Sequence, residues 1–313
     1  MEKEKTWLFI INPASGNGKA KKYWRQIATV LERQKIPYHN VFTKEKLHAI
    51  ELVNTAVKEG YRKIVAMGGD GTNNEVVNGI LLQKTIPSTD IIYTLFPVGT
   101  GNDWIRQHRI PKRISKWVAM LQSEQTVLHD IGKVLYHHQG NEQERYFVNV
   151  AGMAYDGFVG KALEHHTGKF LRKLLYLYLA VTCLFKYKLT KAKVEFDGQV
   201  VEDYFYLINA GICKYSAGGM RTVPHADPSN GKIALTIARN LTKFNVLKSL
   251  PLLYNGKIGK HPLITLHQTK HIKVTANKDE PSFLEVDGEF LGQSPVEFFI
   301  IENALRVVVL PTT

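Results

Sequence analysis

The chain has 313 residues, of which 44% are hydrophobic and 22% are charged, a composition that is typical of globular proteins and excludes general disorder. Its length exceeds that of one ordinary domain and is sufficient for two. The net charge of +13 favours anionic partners, but Lys and Arg are spread along the chain without a recognisable nucleic-acid-binding module, so we expect no nucleic-acid partner.

The first 130 residues alternate between strand-like and helix-like patterns. Apolar runs predict buried strands at 7–11, 38–42, 63–67 and 91–96. Apolar positions three and four residues apart predict helices at about 19–34, 48–59 and 72–82. This alternation predicts right-handed crossovers and a mainly parallel sheet.

From about residue 130 the pattern changes to short β-rich runs separated by Gly, Asn, Asp and Pro. This pattern predicts a sandwich-like second domain, with one helix at about 168–186 and a last apolar run, 305–310, that is able to close either sheet. The helix is too short to cross a membrane, which needs about 20 apolar residues, so we expect it to be buried or interfacial. The predicted strands are 133–136, 146–151, 192–196, 203–210, 232–238, 271–276 and 281–286.

Three glycine-rich segments, 12–18, 68–72 and 97–103, each follow a predicted strand. The carboxyl ends of parallel strands meet at one edge of a sheet, where ligands bind. Glycines let the backbone approach phosphate oxygens, and a helix that begins there adds partial positive charge. We also expect Thr72 to cap the following helix, with Glu75 completing a capping box.

Acidic residues accompany these segments. A carboxylate in a phosphate-binding loop repels the ligand unless a cation lies between them, so Asp70 is a candidate ligand of Mg²⁺. We expect Asp103 and Asp130 to join Asp70 in one acidic cluster, whose repulsion a metal would offset. A tight strand–helix turn without any ligand is the alternative interpretation.

Motifs along nearly the whole chain resemble the diacylglycerol kinase catalytic family, which includes bacterial soluble lipid kinases, sphingosine kinases and ceramide kinases. They occur in the family's order. The motifs are Asn-Pro-x-Ser-Gly at 12–16, Gly-Gly-Asp-Gly-Thr-x-Asn-Glu at 68–75, Pro-x-Gly-Thr-x-Asn-Asp at 97–103, the segments 149–156 and 217–226, and Asp-Gly-Glu at 287–289.

The resemblance implies an α/β N-terminal nucleotide-binding domain of the NAD kinase and diacylglycerol kinase type, followed by a β-sandwich-like C-terminal domain, with the active site in the cleft between them. The implied boundaries are 1–130, joined by a final strand at about 304–313, and 131–303. The implied ligands of ATP are Asn12, Thr43, Gly68, Gly69, Asp70, Gly71, Thr72, Asn73, Asn74, Glu75 and Thr100.

The segment Asp287-Gly288-Glu289 resembles the family motif that supplies the catalytic carboxylate. Residues two apart on a strand face the same way, so we expect both acids to reach one site. One of them would accept the proton of the lipid hydroxyl, with Glu289 the preferred base and Asp287 the second candidate. The alternative is a type I′ hairpin turn at Asp287-Gly288 that leaves Glu289 solvated.

A second divalent-cation site is also considered. Many bacterial members of the family have a metal-associated Asp before a Gly, where this chain has Asn230 before Gly231. Asn230 keeps an oxygen ligand but loses the charge, while Asp227 adds a carboxylate nearby. Asp227 and Asn230 are therefore candidate metal ligands.

The pattern is interpreted as an ATP-dependent, Mg²⁺-requiring lipid kinase that acts on diacylglycerol or a related lipid. Two cysteines and no targeting signal predict a cytoplasmic protein. We expect it to contact the membrane surface through basic residues such as Lys169, Arg172 and Lys173, and a homodimer is an open possibility. The alternatives are an NAD kinase-like enzyme, disfavoured because the expected Gly-Ser-Thr-Ala-Tyr motif is absent, and a catalytically silent lipid- or nucleotide-binding regulator.

Overall fold

The computed structural model describes residues 2–99, 101–164 and 172–311. The chain divides into two units. Unit 1 comprises Met1–Asp130 and Asn303–Thr313, and unit 2 comprises Ile131–Glu302. No helix in the described part of the chain is long and apolar enough to cross a membrane.

A parallel sheet forms the centre of unit 1, as the alternating pattern predicts. Its strands lie in the order β4-β3-β1-β2, and the end of the last strand of the chain runs parallel to β4, with Arg306 opposite Ile92. All five residues of β1 are buried, which explains their continuous apolar sequence. The strands are β1 (Trp7–Ile11), β2 (Tyr38–Phe42), β3 (Lys63–Gly68) and β4 (Ile92–Pro97).

Helices pack on this sheet, and the second and third helices each bury one apolar face. In the second helix the buried residues are Ala20, Trp24, Ile27 and Leu31, at the spacing of one helix face. Two short helices that follow β4 were not predicted. The helices are α1 (Glu2–Lys5), α2 (Ala20–Arg33), α3 (His48–Lys58), α4 (Asp70–Leu82), α5 (Asp103–His108) and α6 (Ile114–Ser123), with a 3₁₀ turn at Ser88–Asp90.

Unit 2 is an antiparallel β structure in which two long strands, β9 and β14, each pair with different partners along their length. The first part of β9 pairs with β8 and the second part with β7. β14 pairs first with β13 and then with β12, and a core of buried apolar side chains lies within these strands. The strands are β5 (Thr126–His138), β6 (Asn141–Phe147), β7 (Val150–Ala154), β8 (Thr190–Phe196), β9 (Gln199–Gly211), β10 (Ile233–Arg239), β11 (Ile264–Thr269), β12 (His271–Ala276), β13 (Phe283–Val286) and β14 (Glu289–Val308).

In the described part of unit 2, three helices interrupt these strands, so the expectation of a single helix is wrong. They are α7 (Tyr155–Glu164), α8 (Arg172–Lys186) and α9 (Lys243–Asn255), followed by a 3₁₀ turn at Ile258–Lys260. Glycines obscured α7, where Gly157 is required because a β-carbon there would overlap the backbone of Phe283. The first residues of the predicted 168–186 helix, including Lys169, lie outside the described residues, as do the side chains of Arg172 and Lys173.

Candidate active site

The three glycine-rich loops of unit 1 meet at the carboxyl ends of β1, β3 and β4, as predicted. Asn12 donates from Nδ2 to Oγ1 of Thr72 at 3.1 Å, which joins the first loop to helix α4. A β-carbon at Gly16 would lie 2.5 Å from the carbonyl oxygen of Val98, so the first loop also packs on the third. These contacts need small residues at each crossing.

The turn between β3 and α4 is shorter than expected. Helix α4 already begins at Asp70, and Gly69 is the residue that precedes it. Thr72 therefore lies in the first turn of the helix, and the predicted capping box of Thr72 and Glu75 is wrong. The Thr72 side chain instead receives the Asn12 hydrogen bond and packs so closely on Gly68 that a β-carbon there would overlap it. The first backbone N–H groups of an α-helix have no partner within the helix, so this turn is suited to an anion.

Two carboxylates face the same space beside this turn. Oδ1 of Asp70 accepts the backbone N–H of Asp103 at 3.0 Å and that of Trp104 at 3.4 Å, so it caps helix α5. A β-carbon at Gly101 would be 3.0 Å from Oδ2 of Asp70 and 3.9 Å from Oδ2 of Asp103. Magnesium in phosphate-transfer sites is commonly held by one or two carboxylates together with substrate phosphates, and Asp70 and Asp103 offer two carboxylates for such a site.

Asn102 belongs to the Pro-x-Gly-Thr-x-Asn-Asp motif but is not among the predicted ligands. Its backbone has φ of 51°, and its Nδ2 donates to the carbonyl oxygen of Gly99. Its Oδ1 is buried and has no hydrogen-bond partner among the described residues. A buried acceptor without a donor is costly, so this oxygen is suited to a ligand that supplies a donor or a cation.

Other predicted ATP ligands are placed differently. The side chains of Asn73 and Asn74 are buried in unit 1, where Asn73 accepts the Tyr93 hydroxyl hydrogen and Asn74 accepts a hydrogen bond from Asn78. Burial and the nearby charge of Asp70 raise the pKa of Tyr93 well above its usual value, so that hydroxyl stays protonated. Thr43 continues from β2 and donates its backbone N–H to Ile11 at 2.9 Å, while Thr100 lies outside the described residues.

Asp130 does not join the other two acids directly. Its Oδ1 accepts the backbone N–H of Asn303 at 2.8 Å, and the side chain is almost fully buried. Within the described ranges, Asp70, Asp103 and Asp130 do not form a set of three oxygens close enough to hold one ion. The expected three-acid cluster is therefore reduced to Asp70 and Asp103.

In unit 2, Asp287 and Gly288 form a two-residue hairpin turn between β13 and β14. Both have positive φ, 48° and 90°, and Val286 lies opposite Glu289, which is the geometry of a type I′ turn. The two acids consequently do not leave one strand on one side, and that part of the prediction is wrong. The Asp287 carboxylate accepts the backbone N–H groups of Val148, Asn149 and Val150 at 2.9–3.2 Å.

Glu289 begins β14 and has a different environment from Asp287. The Arg145 guanidinium lies 3.6 Å from its carboxylate, and both side chains are partly buried. Glu289 is therefore held in place by a cation, whereas Asp287 is held by backbone amides. Asp287 therefore fixes the backbone of the turn, whereas the orientation of Glu289 is set by the side chain of Arg145.

A further pair of acids, Asp156 and Glu285, lies in the same unit and was not predicted. Asp156 accepts a hydrogen bond from Nδ2 of Asn209 at 3.0 Å, and Glu285 accepts one from the backbone of Gly288. Burial raises the pKa of Asp156 to about 6, and burial together with the Asp156 charge raises that of Glu285 well above its usual value. Only the motif 149–156 could have indicated Asp156, and no sequence signal marked Glu285.

The candidate second metal site consists of turn residues. Asp227 accepts the backbone N–H and the hydroxyl of Ser229 at 3.1 and 2.8 Å, and Asn230 accepts the backbone N–H of Lys232 at 3.0 Å. Both side chains are exposed. These local bonds account for both residue types without a metal, and a metal role for them stays a prediction.

Two family profiles match the sequence in succession. The diacylglycerol kinase catalytic domain matches residues 6–134, and the YegS C-terminal NAD kinase beta sandwich-like domain matches residues 149–309. Together they cover both predicted domain types, and the second alone extends over half of the chain.

Curated relatives and solved structures are similar over nearly the full length. The chain is 28% identical to a diacylglycerol kinase of Staphylococcus carnosus (strain TM300), over 95% of this chain and 93% of that protein. It is 29% identical to a diacylglycerol kinase of Staphylococcus aureus (strain bovine RF122 / ET3-1), over 95% and 90%. A crystal structure of a Bacillus anthracis diacylglycerol kinase aligns with TM-score 0.71 and 20% identity over 98% and 97%, and yeast NADH kinase aligns with TM-score 0.57 and 11% identity over 98% and 84%. These structural likenesses bear out the expected fold.

Proposed function

This chain belongs to the diacylglycerol kinase catalytic-domain family, and from that premise we propose that it is an ATP-dependent kinase of diacylglycerol or a closely related membrane lipid. The observation that carries this proposal is the meeting of three glycine loops at the start of α4, beside the carboxylates of Asp70 and Asp103. An anion-binding helix start next to two acids suits a phosphate chain that carries a divalent cation.

In this proposal the first turn of α4 binds the ATP phosphates through its backbone N–H groups. Gly71 leaves that turn open, since a β-carbon there would have no neighbouring atom within 4 Å. Asp70 and Asp103 would hold Mg²⁺, which when bound neutralises charge on the phosphates. Asn102 would direct its buried Oδ1 to the same ligand.

Transfer to a lipid hydroxyl also requires an acceptor for the hydroxyl proton. We assign this step to Glu289, whose carboxylate is oriented by Arg145. Asp287, with three backbone N–H donors, keeps the turn in shape. The acceptor lipid resides in a membrane, so the proposal includes contact with a bilayer through basic residues of this +13 chain.

Radiolabelled ATP incubated with Mg²⁺ and a total lipid extract, then with purified diacylglycerol, tests the proposal. We expect a labelled organic-soluble product that comigrates with phosphatidic acid on thin-layer chromatography. The matched control is Asp70→Asn, which keeps an oxygen to cap α5 but loses the charge, and should lower the rate by on the order of 10²-fold or more. In a parallel reaction NAD is supplied as the acceptor. Label that enters NAD and not lipid would replace this proposal with an NAD kinase, and no transfer to either acceptor would contradict both.

A further inference from the structure

Helices α8 and α9 of unit 2 carry apolar side chains on both of their faces. The inner faces share one core cluster, in which Leu184 of α8 packs with residues such as Leu241 and Ile258, and Val246 and Leu252 of α9 lie against it. A helix on the surface of a globular protein normally has a polar outer face. These two helices depart from that rule.

The outer faces are dominated by exposed aromatic and aliphatic residues at helical spacing. In α8, Tyr178 and Phe185 are 63% and 57% exposed and stand two turns apart. In α9, Phe244 and Tyr254 are 63% and 58% exposed, and the side chain of Leu247, one turn after Phe244, is exposed as well. We call this surface the α8–α9 face; it comprises Tyr178, Val181, Phe185, Phe244, Leu247 and Tyr254.

One lysine connects the two helices at this face. Nζ of Lys243, the first residue of α9, donates to the carbonyl oxygen of Phe185 and lies 5.7 Å from the centre of the Phe185 ring. Lys248 places its ammonium 4.4 Å from the Phe244 ring centre. Lysines that lie beside exposed aromatic rings present an apolar surface with a cationic rim.

The sequence segment that contains α9 carries charge of one sign. No Asp or Glu occurs between Asp227 and Asp279, a segment that contains nine Lys and Arg residues. Among the basic residues of this segment outside α9, Lys270 and Lys273 form ion pairs with acids of β14, and Arg239 forms one with Asp203 of β9. In the described part of the chain, no acid pairs with Lys243, Lys248, Lys257 or Lys260.

We propose that the α8–α9 face docks on an anionic lipid bilayer, with its aromatic and aliphatic side chains entering the interfacial layer and its lysines contacting lipid phosphates. Aromatic rings are favoured at the membrane–water interface, and each nearby Lys adds attraction to anionic lipid. Contiguous exposed apolar surface with a polar rim is characteristic of such interaction sites. The inference rests on the proposed function for its biological purpose, but bilayer binding itself needs no catalysis.

A second copy of the chain is a less suitable occupant of this face. A twofold interface apposes the same patch on both subunits, so the unpaired lysines of one α9 would approach those of the other. A bilayer that contains anionic lipid supplies the opposite charge over the whole patch. Charge complementarity therefore favours the membrane.

Binding to sedimented vesicles of phosphatidylcholine, with and without about one third phosphatidylglycerol, tests the proposal on the full chain. We expect binding that requires phosphatidylglycerol and weakens with salt. The double variant Phe244→Ser/Tyr254→Ser should bind at least about tenfold more weakly, and Lys248→Ala about fivefold. Matched controls are Val200→Ser, which removes an equally exposed apolar side chain from β9, and Lys232→Ala, and both should bind like the unmodified chain.

A second measurement does not depend on variants that lose vesicle binding. All four native Trp residues are buried, so a Phe244→Trp variant reports on its own surroundings, and its fluorescence should shift to the blue when anionic vesicles are added. Vesicle binding without that shift would place the contact elsewhere and overturn the proposal. A dimer that dissociates in the Phe244→Ser/Tyr254→Ser variant would assign the face to a second copy, with the same consequence.

A soluble substrate separates this inference from the proposed enzyme activity. Phosphorylation of a short-chain diacylglycerol, dissolved as monomers, should be unaffected by Phe244→Ser/Tyr254→Ser and should be slowed by on the order of 10²-fold or more by Asp70→Asn. The Asp70→Asn protein should still bind vesicles. Activity on the soluble lipid without vesicle binding would reject the docking face alone, whereas vesicle binding without any kinase activity would reject the proposed function alone.

Discussion

Gly69 and Gly99 approach each other so closely that a β-carbon on Gly99 would lie 2.6 Å from the α-carbon of Gly69. Gly69 has an ordinary φ of −105°, so it is space and not backbone conformation that requires glycine here. The contact joins the end of β3 to the end of β4. It thereby sets the distance between the start of α4 and the loop that carries Asn102.

Gly99→Ala should disturb this contact, because the atom that the new methyl group meets belongs to the backbone and has little freedom to move. We expect the free energy of unfolding to fall by about 1–3 kcal/mol, as for other overpacked sites. The KM for ATP should rise on the order of tenfold, since the two loops would separate. Thermal unfolding and steady-state kinetics measure both, and a variant with normal stability and normal KM would show that the contact is dispensable.

Gly71→Ala is the matched substitution in open space. Apart from the backbone of its own helix and its chain neighbours, no atom lies within 4 Å of the position of its β-carbon, and the residue is in the first turn of α4. Stability should be unchanged or higher by about 0.5 kcal/mol, because alanine favours the helix. The KM for ATP should nevertheless rise several-fold, since the methyl group would enter the space assigned to the phosphates. An unchanged KM would mean that the nucleotide does not approach this turn.

The sheet of unit 1 and its loops could be predicted because each strand is a short buried apolar run that ends at a glycine-rich or polar turn. The strand boundaries 7–11 and 38–42 agree with the structure. The start of α4 could not be predicted as well, because Gly71 has a low helix propensity and the tertiary contacts at this turn, Asn12 with Thr72 and Gly99 with Gly69, cannot be read from the sequence. The burial of Asn73 likewise depends on Tyr93, which is 20 residues away in the sequence. The burial of Asn74 depends on Asn78, which is one helical turn later.

Unit 2 was harder to predict for two physical reasons. Helix α9 contains Pro251 and has apolar residues on both faces, so it lacks the one-sided periodicity that indicates a helix. The second reason is the turn at Asp287. Its φ is positive, so Asp287 is not in a strand conformation. The rule that residues two apart on a strand face the same side therefore does not apply to Asp287 and Glu289. The Asp287-Gly288 pair itself is a turn signal, and the alternative interpretation as a type I′ hairpin describes its backbone correctly.

Glu289→Gln keeps the shape and hydrogen-bonding capacity of the side chain but removes the basic carboxylate. If Glu289 accepts the hydroxyl proton, kcat should fall by about 10²–10⁴-fold with little change in the KM for ATP. The melting temperature should change little, because the ion pair with Arg145 is long at 3.6 Å and the glutamine oxygen is still able to accept a hydrogen bond from the guanidinium. Steady-state kinetics together with calorimetry give the three values.

Asp287→Asn provides the paired control. An amide in this place accepts at one oxygen only and turns an NH₂ group toward backbone donors at Val148, Asn149 and Val150. We expect a lower free energy of unfolding, by about 1–3 kcal/mol. A fully stable Asp287→Asn protein that has lost kcat, beside an active Glu289→Gln protein, would transfer the role of base to Asp287.

The pKa of Asp156 predicts a pH-dependent stability with a definite sign. Burial raises the pKa of this carboxyl from 3.8 to about 6 in the folded protein, although Asn209 donates a hydrogen bond to it. The folded state therefore binds the proton more tightly than the unfolded state. The resulting stabilisation is complete below about pH 4 and is lost as the pH rises through 6.

Asp156→Asn removes this titration while keeping an oxygen for the Asn209 hydrogen bond. At pH 8 the variant should unfold at higher temperature than the unmodified protein, by the equivalent of on the order of 2 kcal/mol, because it no longer buries a negative charge. The difference should disappear toward pH 4, where the carboxyl of the unmodified protein is protonated. Asp203→Asn is the control in which the stability should change in the opposite direction. Hydrogen bonds from the backbone of Tyr204 and from Asn240 lower the pKa of Asp203. The Asp203→Asn variant should therefore be less stable than the unmodified protein at pH 8. Calorimetry between pH 4 and 8 measures both, and a stability gap for Asp156→Asn that is constant over this range would show that Asp156 does not titrate there.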